Sequence, residues 1–262
     1  MVITSTNNQK VKLVRKLMSS AKFRHEMNQF VAEGIHLANS FLDSGGRPGM
    51  LVCSVSALQN QEVIKLVESA SVNGVDVIVL ADSLFESIAS VHAPVGVLLV
   101  FSPERGEWPG EALDSSAVLL ETVQDPGNLG TILRTAAAAG IVKVLLSPHS
   151  ASPWSPKALR AGMGAQFGLE IYEGCDLLAI TKKANVPVLA ATLAADTVSL
   201  YDLDLSEPIA WVFGSEGQGV SAELASLASK RVMIPQAESS IESLNVAAAA
   251  AICLYEQYRQ TI

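Results

Sequence analysis

The sequence has few of the residues from which disulfide frameworks and metal centres are built. Only three of its 262 residues are cysteine and four are histidine. Cys53, Cys175 and Cys253 are widely spaced, odd in number and outside any C-x-x-C motif. This usage indicates a reducing compartment and argues against a disulfide scaffold or a zinc site. We therefore expect a cytoplasmic protein that binds no metal.

Long apolar runs are absent as well. Glycine, proline or a charged residue interrupts every run well short of the roughly 20 residues that span a bilayer. No basic segment followed by an apolar core opens the chain, so we expect no secretory signal. Hydrophobic residues nevertheless make up 49% of the sequence and charged residues 17%. Such a composition predicts globular structure with a sizeable core.

Positive net charge is also missing, since the formal net charge is −8, which by itself argues against a nucleic-acid partner. The distribution of charge matters more than the sum. Residues 1–30 contain a single acidic residue, Glu26, and six basic ones. These are Lys10, Lys12, Arg15, Lys16, Lys22 and Arg24. Apolar residues at helical spacing predict a helix over 7–21, whose basic face is either merely solvated or a surface for RNA.

The familiar nucleotide-binding loops do not occur either. The chain has no G-K-[ST] phosphate loop, and the glycines of the segment 214–219 are spaced G-x-x-G-x-G where a dinucleotide site needs G-x-G-x-x-G. The absence of these loops argues against the alternative of an unrelated doubly wound oxidoreductase or nucleotide enzyme. The glycine turn itself indicates either a tight connection or a place where backbone passes close to a ligand.

What the sequence does contain is a regular alternation of short apolar strands and helices in two blocks. In the first block we predict a strand and turn at 30–34, strands at 50–54, 75–80 and 96–101, and helices near 35–43, 60–72 and 83–89. The polar segment 102–116, with two prolines and two glycines, is typical of a linker. In the second block, continuous apolar strands between helices predict a parallel sheet with helices on both faces. We expect an α/β protein with domains at 1–101 and 117–262.

Polar residues follow three strands of the second domain, which we predict at 117–123, 209–213 and 232–234. Ligands of open α/β sheets lie at the carboxyl ends of strands, so these residues are candidates for one site. They are Asn128, Arg134, Glu216, Ser243 and Asn245. Asn128 is predicted in a loop that leads into a helix over 131–139, and Ser243 is a plausible N-cap of a helix to about Arg259. The alternative is that Asn128 is an ordinary N-cap or turn residue and that Arg134 is an ordinary helix-surface cation.

The candidate residues lack a nucleophile with its base. The sequence offers no Ser-His-Asp set, no metal-ligand cluster and no close carboxylate pair of glycosidase type. The residues therefore suit a site in which a cofactor brings the reactive group and the protein orients it.

Three segments resemble the signature motifs of the SpoU family, the S-adenosylmethionine-dependent RNA ribose 2′-O-methyltransferases of the SPOUT superfamily. They are Asn128–Arg134 (NLGTILR), Phe213–Gly219 (FGSEGQG), and Ile234–Pro235 with Ser243–Ala247 (SLNVA). The resemblance covers residues 117–260 closely. Residues 1–101 resemble, more loosely, the ribosomal-protein-like substrate-binding domain of the family.

The resemblance implies a deep trefoil knot in the second domain and S-adenosylmethionine as cofactor. Residues lining the cofactor pocket would be Thr192, Gly214, Gly217, Ile234 and Leu244. Residues of the reactive side would be Arg134, Asn128, Glu216, Ser243 and Asn245. The charge distribution makes Lys10, Lys12, Arg15, Lys16 and Arg24 candidates for RNA contact, and the resemblance adds Lys157 and Arg160. The family also implies a homodimer, in which Arg134 could reach toward the partner's cofactor.

Arg134 has two interpretations within this chemistry. Family accounts make this arginine the base, but a guanidinium stays protonated in proteins. We favour the interpretation that Arg134 stabilises the developing alkoxide while Asn128 fixes its orientation. The expected substrate is ribosomal RNA. A transfer-RNA methyltransferase, or a relative that binds RNA without methylating it, are the alternatives.

Overall fold

The computed structural model describes residues 2–91, 93–194, 196–237 and 243–262. Its strands are β1 (Val2–Ile3), β2 (Phe30–Glu33), β3 (Met50–Ser54), β4 (Asp76–Leu80), β5 (Val97–Phe101), β6 (Ala117–Leu120), β7 (Lys143–Leu146), β8 (Glu170–Tyr172), β9 (Val188–Ala191), β10 (Val198–Ser199), β11 (Ala210–Phe213) and β12 (Lys230–Met233). Its α-helices are α1 (Gln9–Ser19), α2 (Ala21–Met27), α3 (Ile35–Asp43), α4 (Gln61–Val72), α5 (Asp82–Glu86), α6 (Pro126–Ala138), α7 (Pro156–Gly162), α8 (Leu177–Lys183), α9 (Ala222–Leu227) and α10 (Val246–Thr261).

The chain divides into two units. The first unit contains the residues up to Glu104 together with Trp154–Phe167, and the second contains Arg105–Pro153 and Gly168–Ile262. The first unit has a five-stranded mixed sheet in the order β1-β4-β3-β5-β2. In it β1, β4 and β3 run parallel, whereas β5 pairs antiparallel with both β3 and β2. Helix α1 packs on this sheet through Val11, Val14 and Leu17, which repeat at helical spacing and are fully buried.

Residues 154–167 lie in the expected range of the second domain, 117–262, but their side chains pack in the first unit. The ring of Phe167 contacts Phe41 and Phe101 at centroid distances of 5.2 and 5.4 Å. Trp154 lies 6.3 Å from Phe101 and is 5% exposed. Aromatic residues bury large apolar areas, which explains why this segment joins the core of the first unit.

A buried ion pair adds to the attachment of α7. The Glu33 side chain is 5% exposed, and its carboxylate accepts hydrogen bonds from the backbone N–H of Ser90 at 3.0 Å and from the guanidinium of Arg160 at 3.1 Å. The hydroxyl of Ser90 also hydrogen-bonds both groups. Arg160 therefore acts as the cationic partner of an otherwise uncompensated buried carboxylate.

The second unit confirms the predicted parallel sheet. Its seven strands have the order β10-β12-β9-β11-β6-β7-β8, and all of its strand pairs are parallel. The fully buried indole N–H of Trp211 on β11 donates to Gln257 on α10 at 2.9 Å, which joins the last helix to the sheet. Strand β10 and helix α9 were not predicted, because they are too short to give a periodic signal.

Two further expectations concern thiols and the membrane. Cys53, Cys175 and Cys253 are free and buried, and burial raises the pKa of each thiol, to about 11, about 11 and about 12 respectively. Among the described residues, no helix combines the length and apolar character required to cross a membrane, and no group of side chains could hold a metal ion.

We predict that Arg160→Met destabilises the protein because it leaves the Glu33 carboxylate buried and unpaired. Loss of one partner from a buried ion pair typically costs about 3–5 kcal/mol, and the 34% exposure of Arg160 reduces the expected cost to about 2–3 kcal/mol. Urea-induced unfolding measures this free energy. The double variant Glu33→Gln/Arg160→Met should recover most of the loss. A cost below about 0.5 kcal/mol for Arg160→Met, the size of an ordinary surface change, would contradict the structural role.

Candidate active site

A cleft of about 580 Å³ lies at the carboxyl edge of the parallel sheet of the second unit. Four stretches of chain form it: the ends of β9, β11 and β12 with the residues that follow each strand, and the residues at the start of α10. The lining residues are Ala191–Ala194, Phe213–Gly219, Val232, Ile234, Gln236, Ser243–Val246 and Ala249. All five predicted cofactor residues, Thr192, Gly214, Gly217, Ile234 and Leu244, line this cleft.

The glycine loop, residues 214–219, is closed by its own backbone. Ser215 and Gly219 exchange N–H···O hydrogen bonds of 3.2 and 2.9 Å. A Cβ added to Gly214 would lie 1.9 Å from the carbonyl carbon of Gly219, so the loop's closure requires glycine at 214. A Cβ added to Gly217 would meet no atom within 4 Å. Glycine is therefore present at the two positions for different reasons. At 214 a side chain would prevent the loop from closing, and at 217 the missing side chain leaves space in the cleft.

Asn128 lies in the first turn of α6, not in a loop as predicted. The carboxylate of Asp125 caps the helix by accepting from the N–H groups of Gly127 and Asn128 at 2.7 and 2.9 Å. Pro126 occupies the first helical position, where a missing N–H costs nothing. The loop was predicted because proline and glycine break helices at interior positions. The aspartate followed by proline is the helix-start signal that locates this end of α6.

Glu216 joins the glycine loop to the start of α6. Its carboxylate accepts hydrogen bonds from the backbone N–H groups of Gln124 and Asp125 at 3.2 and 3.1 Å and from the side-chain amide of Asn128 at 3.0 Å. Burial favours the protonated carboxyl, but these hydrogen bonds favour the carboxylate more strongly and hold the pKa of Glu216 below its ordinary value. Glu216 is consequently an acceptor that orders two segments and a poor general base at neutral pH.

A second link extends the hydrogen-bond chain to α10. The side-chain amide of Asn245 donates to the Oδ1 of Asn128 at 3.1 Å, and the Oδ1 of Asn245 accepts from the N–H groups of Ala247 and Ala248. Asn245, and not Ser243 as predicted, is therefore the N-cap of the last helix. Because a carboxylate only accepts, every amide in the chain has one orientation: Asn245 donates to Asn128, and Asn128 donates to Glu216. Ser243 is exposed and lines the cleft.

Arg134 lies apart from this cluster. It follows Asn128 by six residues on α6, which separates them by about 9 Å along the helix and about 120° around it. The Arg134 side chain is exposed, makes no hydrogen bond or ion pair with any other described residue, and does not line the cleft. Within one chain, the structure thus brings Asn128, Glu216 and Asn245 together and leaves Arg134 outside.

The basic residues of the first unit are less available than their sequence positions suggest. Arg24 is 7% exposed, and its guanidinium donates to the carbonyl groups of Leu17 and Met18 at the end of α1. Lys10 forms an ion pair of 2.6 Å with Asp76, and Arg15 donates to Ser87 at 3.1 Å.

Two exposed lysines of α1 are the exceptions. Lys12 has no hydrogen-bond or ion-pair partner in the described part of the chain, and the ammonium group of Lys16 lies 4.1 Å from the ring centroid of Phe23. Of the two basic residues predicted on α7, Lys157 is exposed, whereas Arg160 is held by Glu33.

Two protein-family profiles match the chain. The profile of the SpoU rRNA Methylase family matches residues 115–255, and that of the MRM3-like substrate binding domain matches residues 8–99. An uncharacterized tRNA/rRNA methyltransferase of Synechocystis is 35% identical over 98% of this chain and 93% of its own length. The 23S rRNA (guanosine(2553)-2′-O)-methyltransferase RlmP of Bacillus subtilis is 31% identical over 97% of both chains.

A solved structure agrees with these relatives over the whole length. The AdoMet-bound rRNA methyltransferase of Sinorhizobium meliloti superposes with a TM-score of 0.86, is 32% identical, and is matched over 100% of this chain and 98% of its own. The three motifs, the parallel sheet and these matches lead to one conclusion: the chain belongs to the SpoU rRNA Methylase family.

Proposed function

We propose that this protein transfers a methyl group from S-adenosylmethionine to a ribose 2′-hydroxyl of ribosomal RNA. The observation that carries the proposal is the cleft, which is formed by segments of all the cofactor motifs and is bordered by the Glu216–Asn128–Asn245 chain. Relatives along the full length are named as methyltransferases of ribosomal RNA, which favours this substrate over transfer RNA.

The cleft fits the cofactor in size and chemistry. Its volume falls in the range of small-molecule sites, about 300–1,000 Å³. Apolar Ile234 and Leu244 would cover the adenine, while the backbone of Gly214 and Gly217 and the hydroxyl of Thr192 would bind polar groups. When bound, S-adenosylmethionine supplies an electrophilic methyl group. The proposal includes the trefoil knot that the motifs imply for these loops.

The residues beside the cleft would orient the ribose. Glu216 stays ionised and accepts three hydrogen bonds from the start of α6 and the residues before it, so its role is to hold the glycine loop against α6. Asn128 and Asn245 are joined by a hydrogen bond in which Asn245 is always the donor, and the exposed hydroxyl of Ser243 adds a further polar group to the cleft. Arg134 would stabilise the negative charge that develops on the 2′-oxygen, because a guanidinium keeps its proton and can donate in a fixed geometry.

The position of Arg134 favours a homodimer. One chain does not bring Arg134 to its own cleft. The helix that carries this residue, α6, packs against α10 in the second unit. Tyr255 and Tyr258 near the end of α10 and Ile262 just after it are 48%, 37% and 83% exposed. A second copy covering this face would bury these apolar groups and bring Arg134 of one chain to the cleft of the other.

The function is tested by methyl transfer to ribosomal RNA purified from cells that lack the gene. We expect a radioactive methyl group at a 2′-oxygen, detected as a dinucleotide resistant to alkaline hydrolysis. Arg134→Ala should bind the cofactor normally and lose turnover by a factor of about 100–1,000, as expected for a lost transition-state partner. Asn128→Ala should be milder. Incorporation into transfer RNA alone would overturn the choice of substrate, and cofactor binding without incorporation into either RNA would overturn catalysis.

The cofactor site is tested by a pair of glycine substitutions. Gly217→Ala adds a methyl group to open space and should keep the fold, but it should weaken S-adenosylmethionine binding by on the order of tenfold if the cofactor fills that space. Gly214→Ala forces a methyl group into the backbone of Gly219 and should disrupt the loop and abolish binding. Calorimetry gives both dissociation constants. Unchanged affinity in Gly217→Ala, with an unchanged melting temperature, would place the cofactor away from Gly217.

The RNA surface is proposed to centre on Lys12 and Lys16, the exposed lysines of α1, because Arg24 and Arg160 are held by partners inside the protein. Each phosphate contact contributes a little under one unit to the slope of log affinity against log salt. Lys12→Gln/Lys16→Gln should therefore reduce that slope by roughly 1.5 units. Lys65→Gln, a substitution of an exposed lysine on α4, is the control. A slope that stays unchanged in the double variant would exclude this face of α1 from RNA binding.

A further inference from the structure

Glu121, a residue outside both the cleft and the motifs, contacts the glycine loop at its two ends. Its backbone N–H donates to the carbonyl of Phe213 at 2.9 Å, immediately before the loop begins. Its side-chain Oε2 accepts from the N–H of Ser221 at 2.7 Å, two residues after the loop ends. One residue at the end of β6 therefore spans the base of the loop.

The opposite side of the loop depends on the same stretch of chain. The tip residue Glu216 is held by Gln124, Asp125 and Asn128, which follow Glu121 within seven positions. The segment 121–128 thus supplies anchors for both the base and the tip. Since the loop's internal contacts are the Ser215–Gly219 pair and the Ser215 hydroxyl, its position over the cleft depends on these external hydrogen bonds.

The backbone between the two sets of anchors has an unusual conformation. Thr122 has φ +52°, a left-handed value that is uncommon for a β-branched residue. Its N–H donates to the hydroxyl of Ser147 at 2.9 Å, which fixes the turn from the side of β7. The turn allows Glu121 to face Ser221 while the N–H groups of Gln124 and Asp125 face Glu216. Strained residues persist where the surroundings determine them strongly, and they cluster at functional sites.

We propose that Glu121 is a positioning residue that sets the affinity for S-adenosylmethionine by holding the glycine loop at its base. The inference rests on the proposed function. A loop released at this point populates its binding-competent position less often, and the apparent dissociation constant rises in inverse proportion to that population. A hydrogen bond to a charged group is strong enough that its loss should raise the constant roughly 10-fold to 100-fold. Saturating cofactor holds the loop in its binding-competent position and so restores the contacts of Glu216 with Asn128, and turnover under that condition should stay within about twofold of wild type.

The experiment measures S-adenosylmethionine binding by calorimetry and, separately, KM and kcat on ribosomal RNA. Glu121→Ala should show the weakened binding and raised KM for cofactor with little change in kcat. Glu121→Gln keeps an acceptor oxygen for Ser221 and should recover most of the affinity. Glu223→Gln removes an exposed charge from the first turn of α9 and should have no effect.

A second pair of variants tests the same hydrogen bond from its donor. Ser221 has φ −60°, a value that proline adopts, so Ser221→Pro removes the N–H without imposing a new φ. Ser221→Ala removes only the side-chain cap of α9 and serves as its control. If Glu121→Ala does not fold, weaker cofactor binding in Ser221→Pro than in Ser221→Ala supports the inference, and equal binding overturns it.

The remaining outcomes separate this inference from the proposed function. Unchanged affinity in folded Glu121→Ala overturns the inference, as does a fall in kcat at saturation with normal cofactor affinity, which would place Glu121 in the chemistry. Failure of the unmodified protein to bind S-adenosylmethionine overturns the proposed function itself.

Discussion

The site depends on one carboxylate that three donors keep ionised. Glu216 stands in the glycine loop after β11, and its partners Gln124, Asp125 and Asn128 lie at the start of α6 after β6. These two strands are neighbours in the sheet, so their carboxyl ends lie side by side. Without the carboxylate, the N–H groups of Gln124 and Asp125 would need other acceptors. The loop and the helix start are therefore ordered together.

The same carboxylate fixes the chemistry available around it. Because Glu216 can only accept, Asn128 must direct its NH2 group toward Glu216 and its oxygen toward Asn245. Asn245 in turn directs its NH2 group toward Asn128 and its oxygen toward the first turn of α10. The amides cannot reverse without losing a bond at each step. Two helix starts and one loop are thereby held in a single arrangement. Such preorganisation is what electrostatic stabilisation of a developing charge requires, because the donors do not reorganise during the reaction.

The sequence predicted the elements of this site better than their junctions. The strand that ends at Phe213 and the long last helix are set by local apolar pattern, which is visible in sequence. The end of β6 was predicted too late, at Val123 instead of Leu120, because the apolar pattern does not show the left-handed turn at Thr122. The starts of α6 and α10 were wrong because Asn128 and Ser243 were judged as loop and cap residues from composition alone. Which of two neighbouring polar residues caps a helix is decided by a partner elsewhere in the chain. Asn245 caps α10 while its other end meets Asn128, more than 100 positions away.

The basic residues show the same limit in electrostatic terms. A charge count treats Arg24, Arg160 and Lys12 alike, but their surroundings differ. Arg24 binds the carbonyl groups at the end of α1, and Arg160 neutralises the buried carboxylate of Glu33. Lys12 has no partner among the described residues. A cation already desolvated and hydrogen-bonded inside the protein has little left to offer a phosphate, because leaving its partner would expose a buried polar group. Arg134, like Lys12, is exposed and has no partner among the described residues. A protein of net charge −8 that handles RNA must rely on a small number of such uncommitted cations. The location of those cations, more than the overall charge, determines where the RNA can lie.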